Sequence, residues 1–212
     1  MGVSLTVAPG VLVPREETEL LGYTALSILD TMAAESARVI DMCCGSGNLA
    51  CALATLRPST HVFASDLTDG AIAVTRSNVA QLGLGDRVTV VQGDLFAPLQ
   101  TLGLEGTVDL VVCNPPYISS GKLEKERADL LENEPREAFD GGPYGVSILQ
   151  RVTRDAVGFL RPGGRLLFEI GEGQERQVTA LFGRASAYED LSHVSNNHGL
   201  VRVVSGRKRL EP

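Results

Sequence analysis

The chain has 212 residues, of which 43% are hydrophobic and 21% charged, with a formal net charge of −7. This length and composition predict one globular domain over residues 1–212, and the short apolar runs predict no membrane span. An acidic balance of this size argues against a nucleic-acid partner, because such partners are bound mainly through basic residues on phosphates.

The first residues of the sequence argue against a secreted protein, and its cysteines and histidines argue against a metal-binding or disulfide-linked protein. The first residues lack a basic start followed by an apolar segment and a cleavage site, which predicts a cytoplasmic protein. Cys43, Cys44, Cys51 and Cys113 show no C-x-x-C spacing, and the three histidines are scattered. The sequence therefore predicts no metal site and no disulfide framework, and it favours small buried thiols.

The predicted elements alternate along the chain. A leading amphipathic helix is expected over 16–34, where apolar residues recur at helical spacing. The strand signals lie at 38–44, 61–66, 87–94, 108–113, 164–170, 188–194 and 200–205. The helix signals between them lie at 48–56, 69–82, 144–160 and 174–184. Strands that alternate with helices predict a doubly wound α/β fold, and the turn at 196–199 predicts a closing antiparallel hairpin.

One long segment, 118–143, carries no clear periodicity. It contains several glycines and prolines together with the acidic residues Glu124, Glu126, Asp129, Glu132, Glu134 and Glu137. A charged segment of this length is typical of a loop or short helix over a site, so we expect a lid there. Its carboxylates would suit a guanidinium substrate, although a solvated charged helix explains them equally.

A glycine-rich loop follows the first strand and precedes a helix. The loop DMCCGSG includes Gly45, Ser46 and Gly47, whose backbone permits close approach of a ligand to the helix N-terminus. Asp66 follows about twenty residues later, where a dinucleotide-binding pattern has its ribose-binding acid. The loop alone therefore fits S-adenosylmethionine, NAD or a turn that binds no ligand.

Acidic residues at the ends of the strands favour S-adenosylmethionine. Asp41 would place a carboxylate beside the sulfonium cation, whereas it would repel a pyrophosphate. Asp94, at the end of the third strand, is placed to accept a hydrogen bond from the adenine amino group, with Leu95 beside the ring.

The most specific pattern is Asn114-Pro115-Pro116-Tyr117 after a buried strand. The Asn114 side-chain oxygen and the Pro115 carbonyl can accept both N–H bonds of a planar amino group, and Tyr117 can stack on its plane. Catalysis would then consist mainly of positioning the nitrogen for in-line displacement, with no general base. The alternative is an Asn-Pro turn that only ends a strand.

The order of the motifs VLVPREETE, DMCCGSG, GDLF, NPPYI, NEPREAFDGGPYG, LLFEIGEGQ and HGLVRVVSGRK resembles the catalytic domain of the HemK/PrmC family of glutamine N5-methyltransferases. The resemblance covers nearly the whole chain and implies a class I methyltransferase fold, Rossmann-like, with a seven-stranded, mostly parallel sheet. It further implies S-adenosylmethionine as cofactor and, as acceptor, the glutamine of a Gly-Gly-Gln loop in peptide-chain release factors.

The residues expected to hold each ligand follow from the motifs and the resemblance together. The expected cofactor-binding residues are Asp41, Cys43, Gly45, Ser46, Gly47, Asp66, Leu67, Asp94, Leu95 and Asn114. The expected substrate-binding residues are Arg15, Asn114, Pro115, Pro116 and Tyr117, and the expected catalytic residues are Asn114, Pro115 and Tyr117.

Two departures from the family pattern leave the acceptor open. Cys43 stands where the family usually has glycine, so its side chain must point away from the ligand or narrow the pocket. The motif VLVPREETE begins at residue 11, which leaves no room in this sequence for the N-terminal helical domain of bacterial members.

A small-molecule N-methyltransferase acting on an amino-acid-like amide or guanidine, such as arginine, is therefore the alternative to a protein glutamine. A DNA adenine methyltransferase shares the tetrapeptide but would need a basic face. A dehydrogenase or an inactive cofactor-binding module would share only the glycine loop.

Overall fold

The computed structural model of the protein describes residues 1–32, 36–126, 131 and 134–210. Its helices are α1 (Glu16–Thr31), α2 (Asn48–Leu56), α3 (Asp69–Gln81), α4 (Ser120–Glu126), α5 (Ser147–Phe159) and α6 (Glu175–Ala185). Its strands are β1 (Ala37–Met42), β2 (Thr60–Asp66), β3 (Val88–Gln92), β4 (Val108–Cys113), β5 (Leu160–Glu169), β6 (Tyr188–Ser195) and β7 (Val201–Lys208). Short 3-10 helices lie at Ala97–Leu102 and Arg136–Ala138.

The strands form one seven-stranded sheet in the order β3-β2-β1-β4-β5-β7-β6. Strands β1 to β5 run parallel, and β7 runs antiparallel to both β5 and β6. The predicted doubly wound α/β fold with a mostly parallel sheet and a closing hairpin is confirmed. No helix among the described residues is long and apolar enough to cross a membrane.

Burial on both faces explains the parallel sheet. Every residue of β4 is buried, as expected for a strand covered by helices on each side. One apolar cluster combines strand residues with α1, α2 and α3, and the other combines them with α5 and α6. Because β1 and β4 are neighbours at the point where the strand order reverses, their carboxyl ends open the crevice in which such sheets bind ligands.

Two predicted helices differ at their ends. Helix α1 begins at Glu16 as expected but ends at Thr31, because Met32 is already extended; the last two predicted residues, 33 and 34, lie outside the described residues. Helix α5 begins at Ser147 rather than at residue 144. Gly145 precedes it with a φ of +70°, and its α-carbon lies against the Tyr117 carbonyl, so this glycine makes a left-handed turn before the helix.

The segment 118–143 is more regular than its sequence suggests. It contains α4, and Ile118 forms an isolated parallel bridge with Asp140. The Ile118 N–H donates to the Phe139 carbonyl (2.9 Å), and the Gly141 N–H donates to the Ile118 carbonyl (2.8 Å). Residues 127–130, 132 and 133 of this segment lie outside the described residues. The two ends of the expected lid are thus joined beside the Asn114–Tyr117 segment.

Candidate active site

Two cavities meet at the carboxyl ends of β1 and β4, and Asn114 lies in the wall of both. The first, of about 230 Å³, includes Asp66, Asp94, Glu137 and Asp140 and no lysine or arginine among the described residues that line it. We call it the acidic cavity. The second, of about 540 Å³, is lined by residues of both charges and is here called the mixed-charge cavity. Its charged residues are Arg15, Glu17, Lys122, Glu169, Glu172 and Arg202.

The glycine loop forms one end of the acidic cavity. Gly45 and Gly47 have φ angles of +56° and +75°, in the left-handed region. A β-carbon on Gly47 would lie 2.7 Å from the Thr75 Cγ2 atom, so that position requires glycine. A β-carbon on Gly45 would meet no atom within 4 Å, and this residue lines the cavity. The tight loop therefore brings backbone rather than side chain to the cavity at Gly45.

Asp66 ties the loop to the end of β2. Its Oδ2 atom accepts from the Gly45 N–H (2.9 Å), and its Oδ1 atom accepts from the Thr68 N–H (3.1 Å) and hydroxyl (3.2 Å). The carboxylate is half-buried and lines the acidic cavity. These bonds fix its orientation at the position predicted from the sequence.

Asp94, Leu95 and Leu67 line the same cavity. The Asp94 carboxylate is 2.7 Å from the Arg151 Nη2 atom and is 55% exposed. Leu95 is buried with a φ of +51°, and its carbonyl accepts from the Ser65 hydroxyl (3.1 Å). Leu67 is 58% exposed. The arrangement combines a solvent-accessible carboxylate with apolar walls.

Three expected cofactor-binding residues do not line either cavity. Asp41 is 1% exposed, and its Oδ2 atom accepts from the Ala50 N–H at the start of α2 (2.9 Å). Burial raises the pKa of Asp41 to about 7, with a smaller contribution from Asp66 in the same direction. The Ser46 carbonyl accepts from the Asn78 Nδ2 atom on α3 (2.9 Å), and Gly47 packs against Thr75 of the same helix. The Asp41 carboxylate is thus held inside the protein by an N–H at the N-terminus of α2, and its contact with the cofactor stays a prediction.

Cys43 occupies the position where a glycine was expected. Its φ is +60°, the half-buried residue lines the acidic cavity, and its side chain also packs against the buried core cluster. The Cys43 and Cys113 thiols are adjacent, and burial followed by this contact raises the pKa of Cys113. All four cysteines are free, and Cys44, Cys51 and Cys113 are buried.

The Asn114–Tyr117 segment follows β4 and is held by side chains distant in sequence. The Asn114 Nδ2 atom donates to the Thr18 hydroxyl (3.1 Å). The Tyr117 hydroxyl donates to the Glu169 Oε1 atom (3.3 Å) and accepts from the Arg202 Nη2 atom (3.3 Å). Burial, and then the charge of Glu169, raises the pKa of Tyr117 to about 12. Tyr117 is therefore a neutral phenol near neutral pH.

The backbone of this segment is equally constrained. The Gln174 Nε2 atom donates to the Tyr117 carbonyl (2.9 Å), while the Gln174 Oε1 atom accepts from the Gly171 N–H (2.9 Å). A β-carbon on Gly141 would lie 2.7 Å from the Pro116 carbonyl oxygen, so only glycine allows this approach. The prolines and their neighbours thus fix the direction in which the Asn114–Tyr117 backbone carbonyls point.

Thr18, Glu169, Gln174 and Arg202 were not predicted as site residues. Glu169 ends β5, so inspection of every strand end could have found it. Thr18 lies on α1 and Arg202 on β7, the antiparallel strand, and no local pattern distinguishes them. Their contribution depends on contacts between elements far apart in the chain.

Arg15, an expected substrate-binding residue, lines the mixed-charge cavity and is 46% exposed. Its Nη2 atom is 2.6 Å from the Glu134 carboxylate. Arg136 pairs with Glu124 (2.9 Å) and Asp140 (2.8 Å). Among the acidic residues of segment 118–143, Glu124 and Glu134 are thus paired with arginines, whereas Asp129 and Glu132 lie outside the described residues.

Comparison with known proteins identifies the family. The model of the Methyltransferase small domain matches residues 21–143. The release factor glutamine methyltransferase of Moorella thermoacetica is 40% identical over 211 residues, covering all of this chain and 72% of that protein. That of Geobacter sulfurreducens is 37% identical, covering 97% and 69%.

A solved structure agrees on the fold. The N-terminal domain of human METTL16 in complex with SAH superimposes with a TM-score of 0.70 at 16% identity, covering 100% of this chain and 77% of that chain. The resemblance suggested by the motifs is confirmed: the chain belongs to the family of release factor glutamine methyltransferases and is an S-adenosylmethionine-dependent N-methyltransferase.

Proposed function

We propose that the chain methylates the side-chain amide nitrogen of a glutamine in a protein acceptor, with a peptide-chain release factor as the best candidate. One observation carries this proposal: Asn114 lies in the wall of both cavities, where one could hold the methyl donor and the other the amide. The relatives described above, at 37–40% identity, are named release factor glutamine methyltransferases. A release factor acts in translation, which agrees with the expected cytoplasmic location.

The acidic cavity suits S-adenosylmethionine better than a dinucleotide. S-adenosylmethionine, which supplies the methyl group when bound, carries a sulfonium cation. Asp94 and Asp140 are paired with Arg151 and Arg136 outside the lining, and the further negative charges of Asp66 and Glu137 favour a cation over a pyrophosphate. Leu67, Leu95 and Ile148 add the apolar walls that a purine ring needs. The carboxylates and apolar walls of this cavity thus favour S-adenosylmethionine over NAD.

Individual roles follow from the positions of the carboxylates. Asp66, already oriented by Gly45 and Thr68, is proposed to bind the ribose hydroxyls. Asp94 is proposed to accept from the adenine amino group, because its carboxylate is 55% exposed beside its pair with Arg151. Cys43 would contact the ligand with its side chain. Asp41, whose carboxylate binds the Ala50 N–H, would add negative charge beside the loop in its deprotonated form, at pH values above its pKa of about 7.

The acceptor amide is proposed to lie in the mixed-charge cavity against Asn114, Pro115 and Tyr117. The Asn114 side-chain oxygen and the Pro115 carbonyl would accept its two N–H bonds, and the plane of Tyr117 would support the amide. These contacts orient the nitrogen lone pair toward the acidic cavity. The proton leaves the nitrogen after transfer, so the scheme needs no general base.

The size and rim of the mixed-charge cavity favour a protein loop over a free amino acid. At about 540 Å³ it exceeds what a glutamine side chain alone would fill. Arg15, Lys122 and Tyr144, which is 80% exposed, stand beside it and are available to a larger partner. We further propose that segment 118–143 acts as the lid of this cavity, within a single domain.

The test is transfer of a labelled methyl group to a panel of acceptors. The panel contains a release factor, its variant with the Gly-Gly-Gln glutamine replaced by alanine, free glutamine, free arginine and duplex DNA. We expect labelling of the release factor and none of its alanine variant. Labelling of arginine or free glutamine alone would replace the protein acceptor with a small molecule, and labelling of DNA would overturn the exclusion of nucleic acid.

A further inference from the structure

Two stretches of chain that line the acidic cavity are joined just outside it by one glutamate. The first stretch is residues 10–12, and the second lies within residues 135–140. Val13 directly follows the first stretch, and Glu134 directly precedes the second. The Val13 N–H donates to the Glu134 Oε1 atom (2.9 Å). This bond therefore connects two parts of the cavity wall that are far apart in the sequence.

The stretch that contains residues 10–12 has a second attachment, inside the protein. The Thr6 N–H donates to the Asn78 Oδ1 atom (2.8 Å), and the Asn78 Nδ2 atom donates to the Thr6 carbonyl (3.0 Å). Asn78 is a fully buried residue of α3, and its Nδ2 atom also donates to the Ser46 carbonyl in the glycine loop (2.9 Å). We call residues 6–13 the strap, and Asn78 attaches its first end to the glycine loop.

The middle of the strap turns and packs on the start of α3. The Val11 N–H donates to the Ala8 carbonyl (3.2 Å), and Gly10 has a φ of +79°, in the left-handed region that favours glycine. Val11 is buried, and its Cγ2 atom lies 3.5 Å from where a β-carbon on Gly70 would be. The strap is thus seated on α3 by the Val11 side chain, beside the cavity that it lines.

The two ends of the strap differ in their access to water. Asn78 is fully buried, whereas Val13 is 44% exposed and its bond with Glu134 lies at the surface. The Glu134 Oε2 atom pairs with Arg15 (2.6 Å), so the bond with Val13 uses an oxygen of its own. Exposed backbone hydrogen bonds open more readily than buried ones. The strap therefore opens at its Val13 end and stays attached at Thr6.

We propose that Glu134 is a positioning residue that fastens the strap over the cofactor, so that S-adenosylmethionine enters and leaves when the Val13–Glu134 bond opens. The proposal rests on the proposed placement of the cofactor in the acidic cavity. Because the bond does not involve the ligand, weakening it speeds entry and exit equally and leaves the affinity nearly unchanged. A residue that only contacts the ligand or supports the cavity would instead change release and affinity together.

The test measures the binding kinetics of adenosylhomocysteine by surface plasmon resonance. Glu134→Ala should raise the association and dissociation rates by about tenfold each, as expected for one lost hydrogen bond to a carboxylate, with the dissociation constant within about twofold. Glu134→Gln keeps a side-chain oxygen for the Val13 N–H and should bring both rates to within about threefold of the wild type. Glu124→Ala is the matched control, because Glu124 pairs with Arg136 in the same segment and is not among the described residues that line either cavity.

Three kinetic results would overturn the proposal. The first is an unchanged pair of rates in Glu134→Ala. The second is faster dissociation with unchanged association, because Glu134 would then be an ordinary support of the site. The third is a Glu134→Gln enzyme as fast as Glu134→Ala, because the oxygen that accepts from Val13 would then have no effect.

A second readout needs no ligand. Nitrogen-15 spectra of the cofactor-free enzyme report how fast each backbone N–H exchanges with water. Glu134→Ala should accelerate exchange of the Val13 N–H by about tenfold and leave the Thr6 N–H unchanged, whereas Glu124→Ala should alter neither. Unchanged exchange at Val13 would show that Glu134 does not fasten the strap, and the proposal would fall.

Two further comparisons separate the strap from the proposed function. If Asp94→Ala weakens adenosylhomocysteine binding while Glu134→Ala changes neither rate, the strap alone is rejected. If neither variant affects binding, the cofactor does not lie in the acidic cavity, and the strap is rejected with that placement. Faster association and dissociation in Glu134→Ala without methyl transfer to any glutamine would support the strap and reject the acceptor.

Discussion

The two cavities that meet at Asn114 are built in different ways. The acidic cavity combines the ends of β1, β2 and β3 with residues 10–12 and 135–140, and all of its charged residues in the described lining are carboxylates. The mixed-charge cavity combines α1, the end of β5, β7 and segment 118–143, and its charges are of both signs. Under the proposed function, carboxylates at strand ends and in segment 118–143 would select the cationic cofactor, whereas contacts between α1, β5 and β7 would select the acceptor.

Replacing Asn114, which lies in the wall of both cavities, should separate their functions most strongly. Asn114→Ala should reduce methyl transfer by at least about a hundredfold, because it removes an acceptor that orients the amide. Adenosylhomocysteine binding should change by no more than a few fold, because the acidic cavity keeps its carboxylates. Single-turnover transfer and calorimetry measure the two effects, and Asn197→Ala, in the exposed turn before β7, is the control. A fully active Asn114→Ala enzyme would remove this residue from the mechanism.

The buried acid behind the glycine loop should affect stability in a pH-dependent way. The pKa of Asp41 is raised from 3.8 to about 7, so between these values the folded chain keeps a proton that the unfolded chain releases. Stability is therefore lost as pH rises through this window. Asp41→Asn keeps an acceptor for the Ala50 N–H but has no titrating proton at this position, so its stability should not fall with pH in this way. Its stability relative to the wild type should rise by about 2 to 3 kcal/mol between pH 5 and pH 8.

Urea unfolding of the cofactor-free protein at the two pH values measures this difference. Asp86→Asn, at an exposed position, serves as the control. A gap between Asp41→Asn and the wild type that stays constant with pH would show that Asp41 is not the buried, proton-holding group described here.

A substitution at the rim of the acidic cavity should weaken cofactor binding and leave kcat nearly unchanged. Asp94→Ala should weaken adenosylhomocysteine binding by about tenfold, as expected for loss of one hydrogen bond to a carboxylate. The kcat at saturating cofactor should remain within about twofold, because Asp94 does not contact the acceptor. Calorimetry and steady-state kinetics, with Asp86→Ala as the control, test both statements. Unaltered binding would place the adenine elsewhere.

The smallest effect is expected at the rim of the mixed-charge cavity. Arg15→Ala should raise the KM for the acceptor by about threefold and leave kcat and cofactor binding unchanged. Arg15 is 46% exposed and Glu134 keeps the Val13 N–H as a partner, so loss of this pair should cost little stability. Arg154→Ala, which removes an exposed arginine on α5, is the matched control. An Arg15→Ala effect on cofactor binding would contradict the separation of the two cavities.

The sequence predicts much of the acidic cavity because strand ends and glycine loops are local patterns. Gly45, Asp66 and Leu95 line this cavity at the strand ends to which the sequence assigned them. The sheet has seven strands and is mostly parallel, as predicted. The burial of Asp41 was not predicted, because spacing gives its position in the chain but not the direction that the carboxylate takes from the strand. Thr18, Glu169 and Arg202 escaped prediction because their roles arise only when α1, β5 and β7 come together.

The most direct test of the central claim locates the transferred methyl group at atomic level. A release factor incubated with the enzyme and S-adenosylmethionine is digested and fragmented in a mass spectrometer, together with a sample treated with Asn114→Ala enzyme. The account predicts one added methyl on the side-chain amide nitrogen of a single glutamine, absent from the Asn114→Ala sample. A methyl group on a carboxylate oxygen or an arginine, or on the same glutamine in both samples, would contradict it.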